Sequence, residues 1–267
     1  MSGYRLERVR VARIRPFFDM LDVHMKWGDK MKYFTAEQYR KMQIRGFLVF
    51  HEGEEDYAAD KQWYVENDRD YEAESLAFYT YMEPVITRHM PQELQEAIQR
   101  GEGDLKRMGM PSPEFRRKAE AWKQKLQREW DEARDAYWAR YKSIESELPE
   151  ERSMIHRLHD AKIIAERISE DGKSIELLLD GSGSMLGHDH LYLQFEEVTH
   201  YESLSSLLDN HWLYEELDVS GSGFELRALL DAGSGLQDMN ELLIRASRVT
   251  VATEPAVDLS SSNGQSD

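Results

Sequence analysis

The sequence predicts an α+β protein, with an N-terminal helical module followed by an antiparallel β-sandwich or small β-barrel module. Three observations predict it. Between residues 35 and 148, apolar residues recur at the three- and four-residue steps of a helix, and strand signals are almost absent. After Pro149 the period falls towards two, and turns rich in Gly, Ser and Asp separate short apolar segments. The charge shifts as well, from −6 over residues 31–150 to −14 over residues 151–267, within a net −17 for the 267-residue chain.

Residues 1–30 do not share the texture of the remaining chain. They carry a net +3 and lack the apolar stretch of a secretory signal. The Arg-rich alternation of RLERVRVARIR suggests a transit peptide, but Glu7, Asp19 and Asp22 argue against one. Lys26-Trp27-Gly28-Asp29-Lys30 must be encoded by a purine-rich, G-rich run just ahead of the Met31 codon, as at a bacterial ribosome-binding site. Residues 1–30 therefore read as an over-extended reading frame or a disordered extension, and Met31 is the expected start.

The helical module is expected over residues 31–149. Thr35 is a good N-cap and Gln38 stands three residues later, the spacing of a capping box. Phe34 and Tyr39 stand at the two positions of a hydrophobic staple, and Gly46 supplies a left-handed stop. Helical spacing continues over 54–67 and 70–88, the second expected to kink or break at Pro84. Pro91 opens a short helix closed by Gly101, and 101–113 is a Gly- and Pro-rich loop.

The clearest element is 114–148. Phe115, Ala119, Trp122, Leu126, Trp130, Ala133, Tyr137, Tyr141, Ile144 and Leu148 step by four and three, so the stripe runs nearly straight along one face. An aromatic stripe at this spacing reads as core rather than as a ligand-stacking surface. The stripe carries more large rings than the short helices beside it can cover. Part of it, with Trp138 and Tyr141 nearest the junction, is expected to dock on the β module.

The β module is expected over residues 150–253, with strands near 159–168, 174–180, 190–201, 211–219, 223–231 and 241–252. The tail, 254–267, has almost nothing to bury and is expected to be disordered. Gly-Ser-Gly occurs at 181–183, 221–223 and 233–235. None is a P-loop and no basic residue is near in sequence, so all three read as turns.

Several function classes are excluded by composition. The chain has no cysteine, which removes disulfide frameworks, thiolate metal sites and a cysteine nucleophile. No apolar run reaches the roughly 18–20 residues of a membrane span. The acidic second half would repel nucleic acid and anionic membrane, so neither is an expected partner; a basic protein is. No nucleophile elbow is present, no catalytic residue stands out, no cofactor is indicated, and nothing speaks to the oligomeric state.

Two constellations remain. Trp212, Tyr214 and Glu216 alternate along a strand and would share a face, with His159 and Asp160 upstream, a composition suited to a basic partner. Six of the nine histidines fall between 156 and 211; His156, His159 and Asp160 with His188 and His190 would offer ligands to a metal ion.

MKYFTAEQYRKMQIRGFL at 31–48 resembles the opening of the bacterial domain of unknown function 4085 family. LHDAKI at 158–163 and HWLYEEL at 211–217 resemble that family's C-terminal portion, so the resemblance runs over residues 31–252. It implies a cytoplasmic bacterial protein of uncharacterised activity, and brings neither cofactor nor catalytic residues. The function expected is that of a non-enzymatic protein-interaction module, immunity- or adaptor-like, binding a basic partner. The alternative is a metal-dependent enzyme using the His-rich loops.

Overall fold

The computed structural model describes residues 31–253 apart from 234, 235 and 237, so the expectations for 1–30 and 254–267 lie outside the described residues. Among the described residues six α-helices come first: α1 (Ala36–Phe47), α2 (Glu54–Glu66), α3 (Tyr71–His89), α4 (Gln92–Gln99), α5 (Pro113–Ile144) and the single turn α6 (Arg152–Ile155). Eight strands come after them: β1 (Lys162–Ile168), β2 (Ser174–Gly181), β3 (His188–Glu196), β4 (His200–Ser203), β5 (His211–Ser220), β6 (Gly223–Asp231), β7 (Met239–Ala246) and β8 (Arg248–Ala252).

Side-chain caps open α1, α3 and α5, at Thr35, Asp70 and Ser112. Thr35 accepts from the Gln38 amide while the Gln38 side chain accepts from the Thr35 amide, a closed capping box. Phe34 and Tyr39 both pack against the ring of Tyr214. Gly46 does not stop α1, which ends at Phe47 with Leu48 as its C-cap, and Pro84 does not break α3, which runs on to His89. Packing explains both, since Phe47 and Leu48 beyond Gly46 and Val85 and Ile86 beyond Pro84 are buried together in one core.

All strand pairs are antiparallel, in the order β4-β7-β6-β5-β1-β2-β3-β8, and the sheet is not closed. It folds as two four-stranded halves. Their seam between β1 and β5 is a single register pair, Lys162 with His211. On the other side β7 passes through Ser247 into β8 and changes partner from β6 to β3. Both long strands expected from sequence are split at such corners: 190–201 at Glu197, which takes φ +53°, and 241–252 at Ser247.

The α5 helix, about 48 Å long for its 32 residues, belongs to two cores. Its first half places Phe115 and Ala119 among α1, α3 and α4. Its second half places Tyr137, Tyr141 and Ile144, with Leu148 beyond, against the sheet, where Met31, Phe34 and Ala36 join them. Docking on the sheet therefore occurs, chiefly through Tyr137, whose hydroxyl accepts from the Leu217 amide (3.1 Å). Tyr141 is buried as expected, whereas Trp138 stays 39% exposed and packs on Tyr141 and His156.

Charge reinforces this interface. Arg140 of α5 and Lys32 both reach Asp218 (2.7 and 3.0 Å), and Lys32 also reaches Glu225 (3.2 Å), which is held by Arg227 and Arg245 as well. Burial raises the Asp218 carboxyl, but hydrogen bonds from Arg140 and Lys32 outweigh it and hold the group below its ordinary value. Glu225 is lowered in the same way, against burial, by Arg245 and Arg227.

A carboxyl depressed on folding adds stability above its unfolded pKa, which is lost as pH falls through the folded one. Stability is thus expected to fall steeply below about pH 4, and Asp218→Asn to flatten that fall. Urea midpoints measured across the acid range check this; equal slopes in both proteins would remove Asp218 from the account.

Candidate functional site

Between α6, the β2–β3 turn and β5 lies a cleft of about 280 Å³ lined by His156, His159, Asp160, Gly183, Met185, Leu213, Tyr214 and Glu215. The segment before β1 is zipped onto β5: the Asp160 amide donates to the Trp212 carbonyl and the Trp212 amide to the Ala161 carbonyl, both at 2.8 Å. Asp160 takes φ +69° to make this turn, a left-handed conformation that Asp tolerates better than most residues. Gly183 closes on it from the β2–β3 turn, where a Cβ would lie 3.2 Å from the Asp160 carbonyl oxygen.

A β-bulge decides what faces the cleft. Trp212 pairs with Leu230 and Tyr214 with Leu229, leaving Leu213 as the extra residue. Directly opposed residues share a face, so Trp212 and Glu215 lie on one face of β5 and Tyr214 and Glu216 on the other. The shared face expected for Trp212, Tyr214 and Glu216 does not form.

Trp212 is fully buried, and its indole N–H donates to Glu215 (2.9 Å). Glu216 is buried as well, and its carboxylate accepts from the backbone amides of Lys32, Tyr33 and Phe34 (2.8, 2.6 and 2.8 Å). Both act inside the fold. His159, Asp160 and Tyr214 are the residues of that constellation which reach the surface of the cleft.

Two imidazole–carboxylate pairs dominate the cleft chemistry. His156 Nδ1 lies 2.9 Å from Glu215, with its ring packed among Tyr137, Trp138 and Tyr141 and its Nε2 buried without a partner. His159 Nδ1 lies 3.0 Å from Asp160, and its ring meets Tyr214 edge-on. Of the residues read as metal ligands, His156, His159 and Asp160 line the cleft, while His188 and His190 are exposed at the start of β3. Among the described residues no three His, Asp or Glu side chains are grouped so as to hold a metal ion.

Tyrosines extend the site towards the helices. Burial pushes the Tyr39 phenol up to about 12, helped by the charges of Asp231, Tyr214, Tyr81 and Asp160, and its ring meets Tyr214 edge-on. Burial likewise raises Tyr214, helped by the charges of Glu215 and Asp160. These phenols stay protonated across the physiological range. Sequence reasoning misses Glu215, Leu213 and Met185, because a bulge has no local signature and Met185 sits in a turn.

A family model described as "Protein of unknown function (DUF4085)" matches residues 33–236. No curated protein matches the chain. Among solved structures, an uncharacterized protein from Neisseria gonorrhoeae is similar at 13% identity over 35% of this chain and 90% of its own, with a TM-score of 0.26, too low to carry any argument. No helix among the described residues is long and apolar enough to cross a membrane.

Proposed function

The chain belongs to the DUF4085 family of proteins of unknown function, and from its site we propose a protein-interaction module whose cleft receives a basic side chain of a partner protein. One observation carries this reading. Asp160 and Glu215 stand at a cleft otherwise walled by Met185, Leu213 and Tyr214, and their ion partners are imidazoles rather than lysine or arginine. An imidazole N–H occupies one carboxylate oxygen and leaves acceptor capacity on the group for a further donor. The cleft thus offers an apolar wall for an aliphatic stem and two carboxylates for its cationic end, beside a tyrosine face suited to cation–π contact. The −14 charge of residues 151–267 would steer such a partner in.

The probe is N-acetylarginine amide, followed through the methyl resonance of Met185, which is exposed at the cleft. A saturable shift is expected, absent with the uncharged N-acetylnorleucine amide. Asp160→Asn is expected to weaken binding about threefold to fivefold, the worth of one largely exposed ion pair. Equal shifts from both amides, or none, would overturn the reading.

A further inference from the structure

A second cleft, of about 420 Å³, opens where the β5–β6 turn meets the end of β7 and the segment joining β3 to β4. It is lined by the hydroxyl-bearing residues Thr199, Ser220, Ser222 and Ser247, by Gly221 and Gly223, and by two cation-capable side chains, His200 and Arg245. The turn is one of the three Gly-Ser-Gly segments, which lack any basic neighbour in sequence. The fold supplies what the sequence does not, since Arg245 comes from β7 and His200 from β4.

The strand register gives this cleft its charge. Asp218, Glu225, Arg245 and His200 are directly opposed across β5, β6, β7 and β4, so all four project from the same face of the sheet. Two anions lie at one end of that row and two cation-capable groups at the other. The anionic end is fully occupied by its ion pairs with Lys32, Arg140 and Arg227. Arg245 hydrogen-bonds Glu225 through Nε at 2.8 Å, which leaves the two terminal amino groups of its guanidinium. His200, its cross-strand partner, makes only a 3.4 Å contact with Glu202. Arg245 and His200 thus bring N–H donors to one side of the cleft from two neighbouring strands. Hydroxyls and exposed turn amides beside such a pair are the donors an oxyanion takes up.

We propose that the cleft formed by Ser220–Gly223, Ser247, His200 and Arg245 binds a small oxyanion of the phosphate class, as free phosphate or a phosphomonoester. The chain's net charge opposes any anion at long range, but at physiological salt that field is screened beyond about 8 Å, and the guanidinium and donors act within it. This site is separate from the first cleft and takes ligand of the opposite sign.

The test uses the full chain and inorganic phosphate at constant ionic strength, followed through the amide resonances of Gly221 and Ser222. Saturable shifts are expected at these amides. Arg245→Gln is expected to weaken binding at least tenfold. Because that change also takes one of its three cations from Glu225, Ser222→Asp is the second variant: Ser222 is exposed in the turn, and an added carboxylate there is expected to abolish binding. Gln124→Glu adds the same charge on the exposed side of α5 and is expected to change nothing. Non-saturating shifts overturn the proposal. So does affinity unaltered in Ser222→Asp, or an equal loss in Gln124→Glu, which would mean net charge alone governs the response.

Discussion

Replacing Glu216 by alanine is expected to cost about 3–5 kcal/mol and to lower the unfolding midpoint by roughly 10–15 °C. Three backbone amides, those of Lys32, Tyr33 and Phe34, converge on its carboxylate. Hydrogen bonds to a charged acceptor are the stronger kind, and losing the acceptor leaves the Phe34 amide buried without a partner. The same clasp sets Phe34 against Trp130, Tyr137 and Tyr214, so its loss loosens an aromatic cluster as well. Glu216→Gln keeps the shape but turns an amide N–H towards a backbone N–H, and is expected to lose at least half as much. Urea unfolding measures both. A Glu216→Ala midpoint indistinguishable from wild type would show that water replaces the carboxylate freely.

Trp212→Ala is expected to cost about 3–5 kcal/mol, the usual range for emptying a fully buried aromatic site. Trp212→Phe keeps most of the volume and loses the indole hydrogen bond to Glu215, for about 1–2 kcal/mol. The comparison separates two roles. A surface contact would lose partner affinity with stability intact, whereas a core residue loses stability. Chemical denaturation of the two variants decides, and unchanged stability in Trp212→Ala would return the residue to the surface.

What the sequence discloses depends on the range of the interactions involved. The capping box of α1 is complete within four residues, and the 4-3-4 stripe of α5 repeats along the whole helix, so both are legible. The passage of α1 through Gly46 and of α3 through Pro84 is not, because burial of Phe47, Leu48, Val85 and Ile86 by distant elements overrides a local preference. At the corners the apolar alternation only slips by one residue, from Leu191, Leu193 and Phe195 to Val198 and from Leu242, Ile244 and Ala246 to Val249 and Val251. That is too slight a change to mark where the hydrogen-bond partner switches. In the site, His156, His159, Asp160 and Tyr214 are all legible as candidates and do meet in one cleft. Glu215 is not among the candidates the sequence offers; the bulge at Leu213 turns it to the face of Trp212, where it meets His156. No spacing rule links Arg245 and His200 to the Ser220–Gly223 turn, because only the strand order brings them there.

The Glu216 clasp also fixes a sequence of events in time. Lys32 and its acceptor are 184 positions apart. A ribosome adding roughly 5–20 residues per second therefore leaves the segment around Tyr33 without its anchor for about 10–40 s after it is made. Throughout that interval the first core, built from α1, α3, α4 and the start of α5, can assemble from what has already emerged. The second cannot, because the strand that holds its opening residues does not yet exist. The segment made before α1 is thus among the last to be locked, and the nascent protein carries Phe34 and its ring partners Trp130 and Tyr137 uncovered until β5 arrives.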